Sequence, residues 1–169
     1  SRSQQVDKAW AKMLSKYQER NDVIGNLVEA VKGVSKQESS VLIGVAEART
    51  GAARATPPGP DATPEALAKW EEAQQKVREA MATATRVTVE SNPSLKSSAN
   101  YMALQAKLSR IEKEATAARN SYIDQVAAWN LNVTSWPHKY VASYNSYKVK
   151  PQLKPENEAE ITKTKAVKF

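Results

Sequence analysis

Apolar and aromatic residues recur three or four positions apart at Val6, Trp10, Met13, Tyr17, Ile24, Leu27, Val31 and Val34, the spacing that lays one stripe along a helix. The stripe predicts a helix over 6–34. One turn of it is skipped at Arg20, and Gly25 follows just beyond, a place for a bend. Gly33 closes the run, and Ser35-Lys36-Gln37-Glu38 reads as a capping box, serine and glutamate satisfying each other's free backbone donors. A second helix, 37–55, follows with Val41, Val45, Ala48 and Ala52 on its stripe. It stops at Thr56-Pro57-Pro58-Gly59-Pro60, which cannot continue a helix.

Thr63-Pro64-Glu65 combines a hydroxyl cap, a proline at the first helical position and acid in the first turn. It predicts a third helix over 64–90 carrying Leu67, Trp70, Val77, Met81, Ala84 and Thr88, ended by Ser91-Asn92-Pro93. The longest seam runs through Tyr101, Leu104, Leu108, Ile111, Ala115, Ala118, Tyr122, Val126, Trp129 and Val133, and predicts a fourth helix over 99–135 of about ten turns. After Trp136-Pro137 the pattern dissolves into Tyr140, Tyr144 and Tyr147, expected to dock a short segment, and then into a Lys/Glu/Pro-rich tail. The expected fold is all-α: an antiparallel four-helix bundle over 1–149, with a tail over 150–169 that is disordered or strapped to the bundle.

Composition agrees. The 41% hydrophobic and 25% charged content of these 169 residues is that of one folded domain, and five glycines and one Phe argue against β-rich folds. With no cysteine, disulfides, thiolate nucleophiles and Cys-containing metal sites are excluded. The formal charge of +7 is concentrated toward the C-terminus, where residues 138–169 hold seven lysines against three glutamates. The helices themselves are nearly balanced and carry no stripe of Arg and aromatics, so no nucleic-acid partner is expected. No stretch approaches the roughly 18 apolar residues that a membrane span needs.

Candidate chemistry is sparse. His138 is the single histidine and reads as a surface residue, with no orienting acid near it. Neighbouring carboxylates such as Glu71-Glu72 and Glu112/Glu114 are expected to be solvated, because adjacent helical positions face different ways. Asn132-Val133-Thr134 fits a glycan acceptor pattern but lies inside a predicted helix. No metal, cofactor or small-molecule substrate is expected, and no enzymatic activity. More informative is charge on the seams. Arg20 sits in the first seam, Arg119 lies beside Ala118 in the last, and Glu112 flanks the same long helix. They either form buried ion pairs that fix helix register or reach for water along their stems. If they pair, Glu29, Glu47 and Glu112 are the expected carboxylates.

The run Arg20-Asn21-Asp22-Val23-Ile24-Gly25-Asn26-Leu27-Val28-Glu29-Ala30-Val31-Lys32-Gly33, together with Glu47-Ala48-Arg49, resembles the LemA family of bacterial membrane-associated proteins. Further elements agree in order: Asn92-Pro93-Ser94-Leu95-Lys96, Leu104-Gln105, Glu112, Ala118-Arg119, Tyr122, Asn130, Trp136-Pro137 where the family usually has Phe-Pro, and Lys150-Pro151. Gly25 departs from the family's usual proline, although both residues loosen a helix. The resemblance implies an antiparallel helical bundle behind a single N-terminal transmembrane helix, which is not in this sequence. The chain is therefore expected to be the soluble portion of a longer protein of the bacterial inner membrane, facing the extracytoplasmic side. The expected role is a non-enzymatic envelope scaffold or protein-binding module with envelope proteins as partners. The alternative is membrane-surface binding or remodelling through the basic tail. The polar residues of the seams and of the matched motifs define one candidate interhelical network: Arg20, Asn26, Glu29, Glu47, Arg49, Glu112 and Arg119.

Overall fold

The computed structural model describes residues 2–32, 39–55 and 57–153. Among these the chain is all-α, without strands: α1 (Arg2–Lys32), α2 (Ser39–Arg54), α3 (Pro64–Ser91), a 3-10 turn (Pro93–Ser97), α4 (Ala99–Thr134) and α5 (His138–Tyr144). The four predicted helices are present within a few residues of their expected ends, and α1 runs without interruption through Gly25. Thr63 caps α3 as its chemistry dictates, its Oγ1 accepting from the Ala66 amide at 3.2 Å. The capping box at 35–38, Gly33 and Val34 at the end of the first stripe, and the tail from Lys154 onward lie outside the described residues.

One element departs from expectation. The segment after Pro137, where no stripe was legible, forms the short helix α5. A single side chain of it, Ala142, is buried, while Tyr140 and Tyr144 point outward. A helix held at one small residue leaves no periodic apolar signature.

Packing is pairwise. α1 lies along α4, and α2 packs chiefly on α3. The α1–α4 pair is antiparallel: Arg2 Nη1 reaches the Ala128 carbonyl at 3.5 Å at one end, while Lys16 bonds Glu114 and Arg20 faces Glu112 farther along. The buried apolar side chains divide into two groups. One gathers Val6, Trp10, Met13 and Tyr17 with Leu67, Trp70 and the C-terminal half of α4. The other gathers Ile24, Leu27 and Val28 with Val45, Val77, Met81, Ala84 and Tyr101. Between the groups, where α1 and α3 each skip one apolar turn, stand Arg20 and Gln74, both buried.

After α5 the chain returns along α4. The Trp129 indole donates to the Lys148 carbonyl at 3.0 Å, and the Asn130 amide both donates to the Lys150 carbonyl (2.9 Å) and accepts from the Lys150 amide (2.8 Å). These bonds hold an extended segment whose Leu153 is buried in the first apolar group.

Candidate functional site: a two-arginine layer and the cleft beside it

The polar layer is built from three helices. Arg20, only 1% exposed, donates from Nη2 to Gln74 Oε1 at 2.9 Å. Its Nε lies 3.9 Å from Glu112 Oε1, and its guanidinium carbon stands 4.6 Å from the centroid of the Tyr17 ring, a cation–π distance. Arg119, 5% exposed, donates to the Tyr17 hydroxyl at 3.1 Å and is ion-paired with Glu71. Burial pulls the Arg119 pKa down, but Tyr17 and Glu71 more than offset it and hold the value above normal. The charge therefore persists in the interior, as a guanidinium's does.

Aromatic rings enclose the layer on one side. Tyr17 stacks on Trp70 (5.2 Å, 8° between planes), and Trp10 packs against both Trp70 and Tyr122. The Tyr122 hydroxyl is buried with no hydrogen-bond partner among the described residues. Burial first, then the charges of Asp61 and Asp7, push its pKa up to about 12. Nearer the surface, Lys16 donates to Glu114 at 2.7 Å and to Glu19 at 3.1 Å. Those bonds raise the lysine's pKa, and the Lys16 bond lowers that of Glu114.

The structure brings Arg20 to Glu112 and buries Arg119, but it gathers only part of the expected network. Asn26, Glu29 and Glu47 are exposed, on outward faces of α1 and α2. Glu71, expected in water, instead pairs with Arg119, whereas its neighbour Glu72 is exposed and bonds Lys76. Gln74 and Tyr17 are partners that the charge pattern of the sequence does not point to. Gln74 had a legible signal, since it fills the turn missing between Trp70 and Val77 on the α3 seam, as Arg20 fills the gap in α1.

Arg49 goes elsewhere. Its guanidinium lies on α1 over Gly25, where a Cβ would stand 2.5 Å from Nη2 and push the end of the arginine aside. It lines a cleft of about 510 Å³ between α1 and α2 that opens beside the layer. Chemically, the layer positions helices and the cleft offers a surface for binding. Among the described residues no three His, Asp or Glu side chains gather to hold a metal ion, and no helix is long and apolar enough to cross a membrane.

Comparison with curated proteins gives no match. The LemA family model matches residues 9–169, which takes in α1 from its third turn onward, both arginines of the layer, the Arg49 berth and the return segment. On that match over essentially its whole length, the chain belongs to the LemA family.

Proposed function

We propose that this protein is a non-catalytic scaffold or protein-binding module of the bacterial cell envelope, tethered to the membrane in its full-length form. In this reading its long helices close as an antiparallel four-helix bundle carrying α5 as an appendage. The observation that carries the binding role is a run of exposed apolar side chains around the α4–α5 turn: Leu131, Trp136, Tyr140, Val141, Tyr144 and Val149, with Trp136 76% and Tyr144 90% exposed. Apolar groups concentrated on one part of a surface mark interaction sites, and aromatic side chains are the usual anchors of such contacts. Supporting the non-catalytic reading, both buried arginines are engaged in holding helices.

The test is affinity capture from native membranes with the full-length protein, alongside a variant carrying Trp136→Ser, Tyr140→Ser and Tyr144→Ser. These side chains are exposed, so the melting temperature stays unchanged. A defined set of proteins recovered by the parent and lost by the variant supports the module. Equal recovery by both, or no recovery, removes it.

One observation favours membrane-surface binding as a second reading. Lys139 Nζ sits 5.1 Å from the Tyr140 ring, and Trp, Tyr and Lys together are the composition of a lipid–water interface. Under this reading the same variant loses co-sedimentation with anionic liposomes at low salt.

A further inference from the structure

The segment that returns along α4 is held as a separate peptide would be. Asn130 uses both ends of its amide on the backbone of one residue, donating to the Lys150 carbonyl at 2.9 Å and accepting from the Lys150 amide at 2.8 Å. Beside it the Trp129 indole donates to the Lys148 carbonyl at 3.0 Å. Main-chain bonds of this kind supply affinity for an extended chain, and side-chain berths supply the selection. Two berths are present, three residues apart. Lys150, only 6% exposed, is ion-paired with Asp61 from the loop before α3, and its Nζ lies 5.5 Å from the centre of the Trp129 ring, within cation–π reach. Leu153 enters the first apolar group, while Lys148 and Gln152 stay exposed.

What joins this segment to the bundle is weakly fixed. α5 buries one side chain, Ala142, and leaves Tyr140, Val141 and Tyr144 exposed. Ser146, between α5 and the segment, has φ 55°, a left-handed conformation in which the Cβ crowds the backbone and which opposes docking. The segment also leaves room at its side. A cleft of about 670 Å³ runs along it, walled by Asp61, Pro64, Trp129, Tyr147 and Lys150, a volume in the usual range for bound ligands. A segment anchored at so few points opens at a lower free energy than the bundle unfolds.

We propose that residues 148–153 are an intramolecular ligand, and that the face of α4 at Trp129 and Asn130 is a groove for an extended segment of a partner protein carrying a lysine and, three residues later, a leucine-sized apolar side chain. Asn130 and the Trp129 indole take the partner's backbone, Asp61 and the Trp129 ring its ammonium, and the first apolar group its leucine. A glutamate in place of that lysine is repelled by Asp61. The chain's own segment closes the groove, so a partner binds with an affinity reduced by the fraction of molecules that are open. This contact is therefore autoinhibitory. The groove does not use Trp136, Tyr140 or Tyr144, so it and the α4–α5 face can fail independently.

The experiment titrates the isotope-labelled full chain with acetyl-Lys-Val-Lys-Pro-Gln-Leu-amide, a copy of residues 148–153. The double variant Lys150→Ala, Leu153→Ala frees the groove and is expected to bind the peptide saturably, with the largest NMR shifts at the Trp129 indole, the Asn130 side-chain amide and Asp61. The parent binds it at least about tenfold more weakly, because its own segment competes. Replacing the peptide's second lysine by glutamate, or N-methylating that residue to remove the donor to Asn130, is expected to weaken binding at least about tenfold as well. A helical, cooperatively melting double variant that does not bind overturns the groove, as do shifts centred elsewhere or equal affinity for the glutamate peptide. Parent and variant binding equally overturns the autoinhibition. Should the double variant fail to fold, hydrogen exchange of the parent decides. The Lys150 amide is expected to exchange at least about tenfold faster than the slowest amides of α1, and faster still with millimolar peptide present. A Lys150 amide that exchanges only with global unfolding and ignores the peptide overturns the proposal.

Discussion

Replacing Arg20 by Met tests whether the polar layer stabilises the fold or merely occupies it. Methionine retains much of the apolar stem and removes the guanidinium, leaving Gln74 Oε1 without its 2.9 Å donor in a buried position. An acceptor stranded in that way costs about 1–3 kcal/mol. Glu112, whose side chain is 16% exposed, loses a cation 3.9 Å away. Removing one member of a buried pair typically costs about 3–5 kcal/mol, but the long separation and partial water access place this contribution at or below the bottom of that range. Relief of the arginine's own desolvation offsets part of the loss. The net expectation for Arg20→Met is a destabilisation of about 2–4 kcal/mol, a large share of the roughly 5–15 kcal/mol that holds a domain together. Urea unfolding followed by helical circular dichroism measures it, as a midpoint lowered on the order of 1–2 M with an unchanged slope. Adding Gln74→Leu and Glu112→Leu, which removes the stranded partners, is expected to recover most of the loss. A midpoint for Arg20→Met within about 0.3 M of the parent would show that the layer contributes nothing to stability, and would refute the reasoning.

Gly25→Ala places a Cβ 2.5 Å from the Arg49 guanidinium, yet the obstacle is the end of a flexible side chain and alanine is about 1 kcal/mol better than glycine inside a helix. Thermal melts should therefore show the variant at least as stable as the parent, and a loss above about 1 kcal/mol would mean that Arg49 is held in its berth more firmly than its contacts imply. Tyr122 supplies a pH dependence. Its folded pKa of about 12 lies above the unfolded value near 10, so the fold favours the neutral phenol. The associated stability is complete below pH 10 and is lost as pH rises toward 12, amounting to roughly 3 kcal/mol for a two-unit shift. Denaturation midpoints measured across that window should fall less steeply for Tyr122→Phe, which at neutral pH is expected to match or exceed the parent because it deletes an unpaired buried hydroxyl.

Helix periodicity was the most legible feature of the sequence. α1, α3 and α4 are long and bury apolar stripes, those of α1 and α3 each broken only once, and the Thr63-Pro64 start of α3 is a local signal that tertiary contacts do not override. α5 was not legible for the complementary reason: its tyrosines are exposed and its one buried residue is an alanine. The return segment after α5 is held largely by hydrogen bonds from Asn130 and Trp129 to the backbone of residues 148–150. Backbone recognition of that kind imposes no residue pattern on the segment it captures.

The candidate site divides along the same physical line. A cation in an apolar seam is visible from one helix, because burial follows from that helix's own period, and Arg20 and Arg119 are both buried. Which carboxylate answers it depends on how two helices rotate against each other, and the sequence carries that only indirectly. Glu29 and Glu47 have the right chemistry but stand on exposed faces, while Glu71 lies next to the seam residue Trp70 and so comes within reach of Arg119. The indirect signal is the gap. A seam that skips a turn at Arg20 leaves a polar hole in the core, and that hole is satisfied only if a facing helix skips a turn at the same level, as α3 does at Gln74. Matching gaps between seams therefore identifies both the facing helix and the register of its contact. Arg49 meets no such gap: its guanidinium lies across α1 over Gly25, at the edge of the cleft.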